Sequence, residues 1–416
     1  MSAAADDRQR RRRRRYVGAL ASLLVLLVVL GGAGLYASSA LGAAVPAAAA
    51  AVVDPAPIAG PAAQLSLPTT GPYALDAVGY GRLAASADQS AVPIASISKV
   101  VTALVILDAH PLAAGEAGPD IAYTQADVDV YWDVIRRNGT NAPVVAGSTL
   151  SQRDSLIAML LPSANNYAIS LATWAFGSVE GFSAAARTWL DAHGFANTNL
   201  VEPSGLSAEN VSTPGELVQI GELALEQPAI AEIVRMTSAD LPVVGHVENT
   251  NELLGHGGVD GIKTGTTEEA GACLLFSTDV IVGTESITVV GVVLGGPDHD
   301  AIDAQIAALL ASATTGFHEI TALEANTVLA EYTTPWGESA RARAASSVSL
   351  VVWGDTSVDV SVSADPLALA TRGEQAGTAT VTTSAGTVVE VPLVLDAAIE
   401  DPGSWWRLTN PGALEG

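Results

Sequence analysis

A block of arginines, Arg8 and Arg10 to Arg15, runs directly into about 21 uncharged, mostly apolar residues, Tyr16 to Tyr36. No other feature restricts the fold as strongly. About 20 such residues suffice to cross a bilayer as a helix, and arginines on one flank hold that flank in the cytoplasm. The chain after Tyr36 is therefore expected to fold outside the cytoplasm, tethered by a single-pass signal anchor. The small residues of "ASSALGA" would also suit cleavage of a signal peptide, which would leave a secreted protein. Signal peptides usually carry only about 7 to 15 apolar residues, so the length favours the uncleaved anchor.

Beyond residue 15 the chain carries 12 basic residues against 42 acidic ones. Such a surface repels phosphate backbones and argues against a nucleic-acid partner. Nearly half of all residues are hydrophobic and only 15% are charged, which suits a well-buried globular chain rather than a disordered one. Cys273 is the only cysteine, so no internal disulfide can form. It lies in "GACLLFS", a pattern that reads as a buried strand, and is expected to be a packed thiol.

Composition divides the chain into a basic tail (1–15), the anchor (16–36), an Ala/Pro-rich linker (37–68), a mixed α/β region (69–320) and a small β domain (321–416). In the mixed region "YALDAVGYGRLAAS" reads as a strand pair. "SISKVVTALVILDAH", "LSQRDSLIAMLLPSANNYAISLATWAF" and "VEGFSAAARTWLDAHGF" have helical apolar spacing. "GACLLFSTDVIVGTESITVVGVVLG" reads as a β-hairpin. A helix follows, capped by Asp298 or Asp300. The C-terminal stretch alternates with period two and ends in "DPGSWWRLTNPG", whose Trp405 and Trp406 are expected to pack on the β domain.

Lysine is nearly absent: Lys99 and Lys263 are the only two, against seventeen arginines. Lys99 follows Ser96 by three residues, which on a helix puts both side chains on one face. A serine hydroxyl is a poor nucleophile unless a neighbour takes its proton. A buried lysine can do so as a neutral amine, whereas arginine stays protonated. Two more groups stand downstream. "LLPSANNYA" offers Ser163 and Asn165 after a proline break, a hydroxyl to relay a proton and a carboxamide to hold a substrate amide. "GIKTGTT" places Lys263, Thr264 and Gly265 at the start of an apolar strand. There an ammonium and hydroxyls could bind a carboxylate, and Gly265 would let a substrate lie against the backbone.

Ser-x-x-Lys, Ser-x-Asn and Lys-Thr-Gly occur in that order, 67 and then 100 residues apart. With "TNLVEPSGLS" and "NTNELL", they make the stretch from about Tyr73 to Phe317 resemble the low-molecular-mass penicillin-binding proteins. These are the serine-type D-alanyl-D-alanine carboxypeptidases, which share a fold with class A β-lactamases. The resemblance implies a transpeptidase-like domain, an antiparallel sheet plus a helical cluster, followed by the small all-β domain. It implies that Ser96, Lys99 and Ser163 are catalytic and that Asn165, Lys263, Thr264, Gly265 and Thr266 bind substrate. It also implies an oxyanion site between the backbone N–H groups of Ser96 and Thr266. Peptidoglycan stem peptides would be the substrate, β-lactams would acylate Ser96, and no metal or cofactor would be needed.

Two positions depart from the family pattern. Asn166 stands where an aspartate is commoner. No arginine occurs between Lys263 and Arg341, where one often helps to bind the substrate carboxylate. His299 could substitute, or it is a solvated residue ahead of the final helix. Other readings remain: a β-lactamase using Glu202 as base, a DD-endopeptidase with the same machinery, and an inactive cell-wall-binding sensor. The histidines are dispersed, with no metal-binding spacing. Neither a Gly-x-Ser-x-Gly elbow nor a phosphate-binding loop appears.

Overall fold

The computed structural model describes residues 3–414. The apolar run is the middle of one long helix, α1 (Ala3–Gly42). The arginine block is helical too, not a separate tail. Arginine is a good helix former, and Asp6 and Asp7 pair with Arg10 and Arg11 one turn on. The helix is long and apolar enough to cross a membrane, with a mean hydropathy of 2.4 in its most apolar window. Leu20, Leu24 and Leu27 are all exposed.

The stretch 37–68 departs from the expected linker. Within it, β1 (Ala49–Val52) and β2 (Ile58–Ala59) are the two edge strands of the C-terminal sheet. An extended Ala/Pro-rich backbone has free N–H and C=O groups, and a sheet edge satisfies them. The prolines at 55 and 57 fall between the two strands, where no ladder bond is lost.

The chain divides into two compact units: residues 60–320 with 351–356, and residues 1–59 with 321–350 and 357–416. The first is built on an antiparallel sheet of β3 (Tyr73–Ala77), β4 (Gly81–Ala85), β5 (Val259–Thr267), β6 (Gly271–Val282) and β7 (Glu285–Gly296). Its spatial order is β5-β6-β7-β3-β4. Successive side chains alternate between two cores. Cys273 and Leu275 join Ile262 and Val292 in a core with the helical cluster. Leu274 and Phe276 face Ile302, Ile306 and Leu309 of α9 (His299–Thr314). Of the two candidate caps for α9, Asp298 serves: its carboxylate accepts from Ala301 N at 2.8 Å.

The cluster contains α2 (Ser98–Ala109), α3 (Gln125–Arg136), α4 (Gln152–Leu160), α5 (Asn165–Phe176), α6 (Val179–Ala192), α7 (Pro214–Glu226) and α8 (Pro228–Val234). Pro162 ends α4, and the chain turns before resuming as α5, as its sequence predicts. In α2 every residue from Ser98 to Leu107 is buried. A helix apolar all round belongs in a core, so whatever stands at its N-terminus is held rigidly.

The second unit is a seven-stranded antiparallel sheet. Between its edges β1 and β2 lie β8 (Val328–Thr333), β9 (Ser339–Ala344), β10 (Ser357–Ala364), β11 (Gln375–Thr383) and β12 (Val388–Leu395), in the order β1-β8-β9-β12-β11-β10-β2. A short helix, α10 (Gly403–Thr409), closes it. Only one of the two tryptophans packs as expected. Trp406 meets Trp336 edge-on at 5.5 Å, while Trp405 is 79% exposed.

Candidate active site

Ser96 lies in a single 3₁₀ turn, Ala95–Ile97, that leads into α2. The turn is strained, since Ala95 has φ 46°, a conformation L-residues adopt at a cost of about 1–3 kcal/mol and one that tends to mark functional sites. From the first turn of α2, Lys99 reaches back so that its Nζ is 2.8 Å from Ser96 Oγ. Nζ is also 2.5 Å from Asn165 Oδ1 and 2.6 Å from the Ser204 carbonyl.

An ammonium could donate to all three neighbours, whereas a neutral amine divides them. Two N–H groups donate to Asn165 and Ser204, which are acceptors only at those atoms, and the lone pair is left for the Ser96 hydroxyl hydrogen. The Lys99 side chain is 0% exposed. Burial holds its pKa well below the ordinary lysine value, and the positive charge of Lys263 lowers it further, against an opposing pull from Glu202.

Lys263 is also buried, on β5, and burial brings its pKa down to about 7. Among the described residues, the hydrogen-bond partners of its Nζ are the hydroxyls of Thr250 and Thr264, each at 3.3 Å. Among the described residues no carboxylate pairs with either lysine. A charge on Lys263 favours the neutral form of Lys99, which suits Lys99 to act as base.

The Lys-Thr-Gly group sits in the middle of β5, an edge strand of the sheet, rather than at the start of the apolar strand that follows, β6. Its glycine also has a more immediate reason than substrate approach. A Cβ on Gly265 would stand 2.9 Å from Ile94 O and 3.0 Å from Ser96 N, so the bare Cα lets β5 press against the serine turn. From the other side, a Cβ on Gly205 would lie 1.9 Å from Ala95 O. The two glycines clamp the strained turn between a strand and the 202–207 loop.

The other expected residues distribute unevenly. Asn165 and Thr266 line, with Ser96, a cleft of about 480 Å³ whose walls include Arg137, Leu206 and Glu269. Thr264 is buried, and its hydroxyl is 2.5 Å from that of Thr250. Ser163 is buried two residues ahead of Asn165, with φ 61°. Among the described residues no hydrogen bond joins its hydroxyl to Ser96, Lys99 or Lys263. His299 is half-buried rather than solvated, and its Nε2 is 2.7 Å from Thr266 Oγ1.

Two residues acquire structural explanations. Asn166 bonds the Ala142 backbone through both its amide atoms, donating to O and accepting from N at 3.0 Å each; an aspartate would lack the donor. Both oxygens of Glu202 are engaged: by Ser204 N and Oγ, Gly205 N, Ser207 N and Asn210 Nδ2. Cys273 is a packed thiol that burial pushes up to about 11. Ser204 and Thr250 were not singled out as individual residues. They lie within "VEPSGLS" and "NTNELL", but Ser204 contributes a backbone carbonyl, which side-chain patterns do not reveal.

A sequence profile described as D-alanyl-D-alanine carboxypeptidase matches residues 79–298. The chain is 33% identical over 194 residues to a D-alanyl-D-alanine endopeptidase of Escherichia coli, covering 45% of this chain and 59% of that one. It is 26% identical over 250 residues to a D-alanyl-D-alanine carboxypeptidase of Streptomyces sp., covering 54% and 84%. The match thus spans less than two thirds of the endopeptidase's own length. The fold is similar to that of the Streptomyces K15 DD-transpeptidase (24% identity, TM-score 0.53, 59% of this chain and 98% of that one). It is also similar to that of penicillin-binding protein 5 from Haemophilus influenzae (20% identity, TM-score 0.56, 81% and 98%). With the profile covering more than half its length, the chain belongs to the D-alanyl-D-alanine carboxypeptidase family of low-molecular-mass penicillin-binding proteins.

Proposed function

We propose that this protein is a serine-type D-alanyl-D-alanine carboxypeptidase that removes the terminal D-alanine from peptidoglycan stem peptides and is acylated by penicillins. In this reading α1 is an uncleaved anchor, with the residues after it outside the cytoplasm. The observation that carries the reading is the Lys99 amine, buried with no carboxylate paired to it among the described residues and 2.8 Å from Ser96 Oγ.

Lys99 takes the Ser96 proton as Oγ bonds to the carbonyl carbon between the two D-alanines. The oxyanion that forms is met by the N–H groups of Ser96 and Thr266. When the intermediate collapses, the C–N bond breaks. The proton held by Lys99 passes, with Ser163 as relay, to the amine of the departing D-alanine. Water then enters, gives a proton back to Lys99 and hydrolyses the ester, freeing Ser96. Asn165 holds the peptide backbone. Lys263, with Thr264 and Thr266, supplies positive potential and hydroxyls for the terminal carboxylate.

A DD-endopeptidase acting on crosslinks is the second reading, favoured by the similarity to the D-alanyl-D-alanine endopeptidase of E. coli. The β-lactamase reading is weakened because Glu202 has both oxygens committed to its own loop. The test uses the full chain in detergent, offered a pentapeptide ending in D-Ala-D-Ala and a crosslinked dimer, alongside fluorescent penicillin. Release of D-alanine with labelling of Ser96, both lost in Ser96→Ala, is expected. Labelling without release from either substrate would favour a sensor, and cleavage of the dimer alone an endopeptidase.

A further inference from the structure

Thr266 faces the cleft, and its hydroxyl oxygen lies 2.7 Å from Nε2 of His299, the first residue of α9. A hydroxyl has one hydrogen, and two arrangements of this pair are possible. If Nε2 is bare, it takes that hydrogen, and Thr266 shows only lone pairs to the cleft, which an anion avoids. If Nε2 carries a hydrogen, Thr266 accepts it, and the hydroxyl hydrogen is free to point at a ligand. An imidazolium permits only the second arrangement. We propose that His299 is a positioning residue that sets the direction of the Thr266 hydroxyl and thereby the affinity of the cleft for the free C-terminal carboxylate of the peptide.

This inference rests on the carboxypeptidase reading and deepens it. It also accounts for a stretch without any arginine from Lys263 to Arg341. The groups that act on His299 are Lys263 from β5, Glu252 from the preceding loop, and Asp298 and Asp300 beside it. Burial and then Lys263 hold the imidazole below its ordinary value of 6.5, while the three carboxylates oppose them. Lowering the pH through the range below 6.5 therefore charges His299 and should tighten carboxylate binding. Acid also favours the protonated form of Lys99, which opposes turnover.

The test compares steady-state kinetics of the full chain on a pentapeptide ending in D-Ala-D-Ala with the same peptide carrying a C-terminal amide. His299→Ala should raise KM for the free acid about fivefold, the worth of one modest hydrogen bond. Its kcat should stay within about twofold, and the amide peptide should be unaffected. His299→Gln keeps an N–H donor but cannot titrate; it should restore KM and leave only the pH dependence that Lys263, titrating near 7, contributes. Equal losses on the amide peptide, or a KM–pH trend in His299→Gln as steep as in the wild type, would overturn the assignment. So would the same KM increase in Arg137→Gln in place of His299→Ala. A wild-type chain that neither takes fluorescent penicillin nor releases D-alanine refutes the carboxypeptidase reading. A normally labelled wild type with unchanged KM in His299→Ala refutes this inference alone.

Discussion

Replacing Lys99 by arginine keeps a cation at the position and removes a base. In the structure the amine serves two acceptors and one donor, with Asn165 Oδ1 at 2.5 Å, Ser204 O at 2.6 Å and Ser96 Oγ at 2.8 Å. A guanidinium can still donate to Asn165 and Ser204, but it has no lone pair for the Ser96 hydroxyl. General-base assistance is worth about 10² to 10⁴ in rate, or roughly 3 to 5.5 kcal/mol of barrier. The loss should fall at the upper end, because among the described residues no other titratable group lies within hydrogen-bonding distance of Ser96 Oγ. The substitution also fixes a full charge at a 0% exposed site where the lysine escapes that cost by shedding its proton, so the melting temperature should fall too. Acylation by fluorescent penicillin, followed in time on the full chain from pH 6 to 10, measures the first effect. Lys99→Met, close in length and uncharged, separates it from misfolding: it should fold and be equally slow. A folded Lys99→Arg chain acylated within about tenfold of wild type would show that another base operates.

Lys263→Met removes the charge that lowers the Lys99 pKa, so the acid limb of the acylation profile should move to higher pH; an unmoved limb would disconnect the two lysines. Lys263 itself titrates near 7 folded and near 10.5 unfolded. Between those values the unfolded chain binds more protons, so stability contributed through this group rises with pH, and the rise in melting temperature should be shallower in the variant. Glu202→Gln should cost about 3 kcal/mol, since charge-assisted bonds to the loop are lost, and should slow acylation because the loop carries the Ser204 carbonyl. Selective accumulation of acyl-enzyme, with acylation intact, would instead support a β-lactamase. A chain beginning at residue 69 lacks β1 and β2 and should melt at least about 5 °C below one beginning at 44; equal melting would mean those edge strands contribute nothing.

Much of this architecture is legible because local pattern and tertiary need coincide. The apolar runs around Val100 and Val290 can be satisfied only by burial, so the elements they form follow from periodicity alone. Residues 49–59 are the counterexample. Their composition is that of a spacer, and they become strands because the sheets beside them have unpaired edges, a demand that lies elsewhere in the chain. Trp405 and Trp406 likewise read as a pair, although adjacent helical positions face about 100° apart and only one can point at Trp336. In the site, spacing brings out Ser96 and Lys99 as partners, while Asn165, read as a substrate ligand, also proves to accept from Lys99. The bond between the Thr264 and Thr250 hydroxyls is not legible there, because a partner in a separate loop leaves no trace in a short motif.

The scarcity of lysine is explained by where the two stand. Arginine outnumbers lysine seventeen to two, yet the two lysines are 0% and 1% exposed. Arginine meets burial with a charge it cannot lose, and an unpaired buried guanidinium is prohibitively costly. An amine meets burial by lowering its pKa, and the desolvation that would penalise a cation then produces the neutral base that Ser96 needs. At Lys99 the effect is pushed further by the charge on Lys263, whose own pKa burial brings to about 7. Placing a carboxylate beside Lys99 would favour its charged form and should silence the serine without touching it.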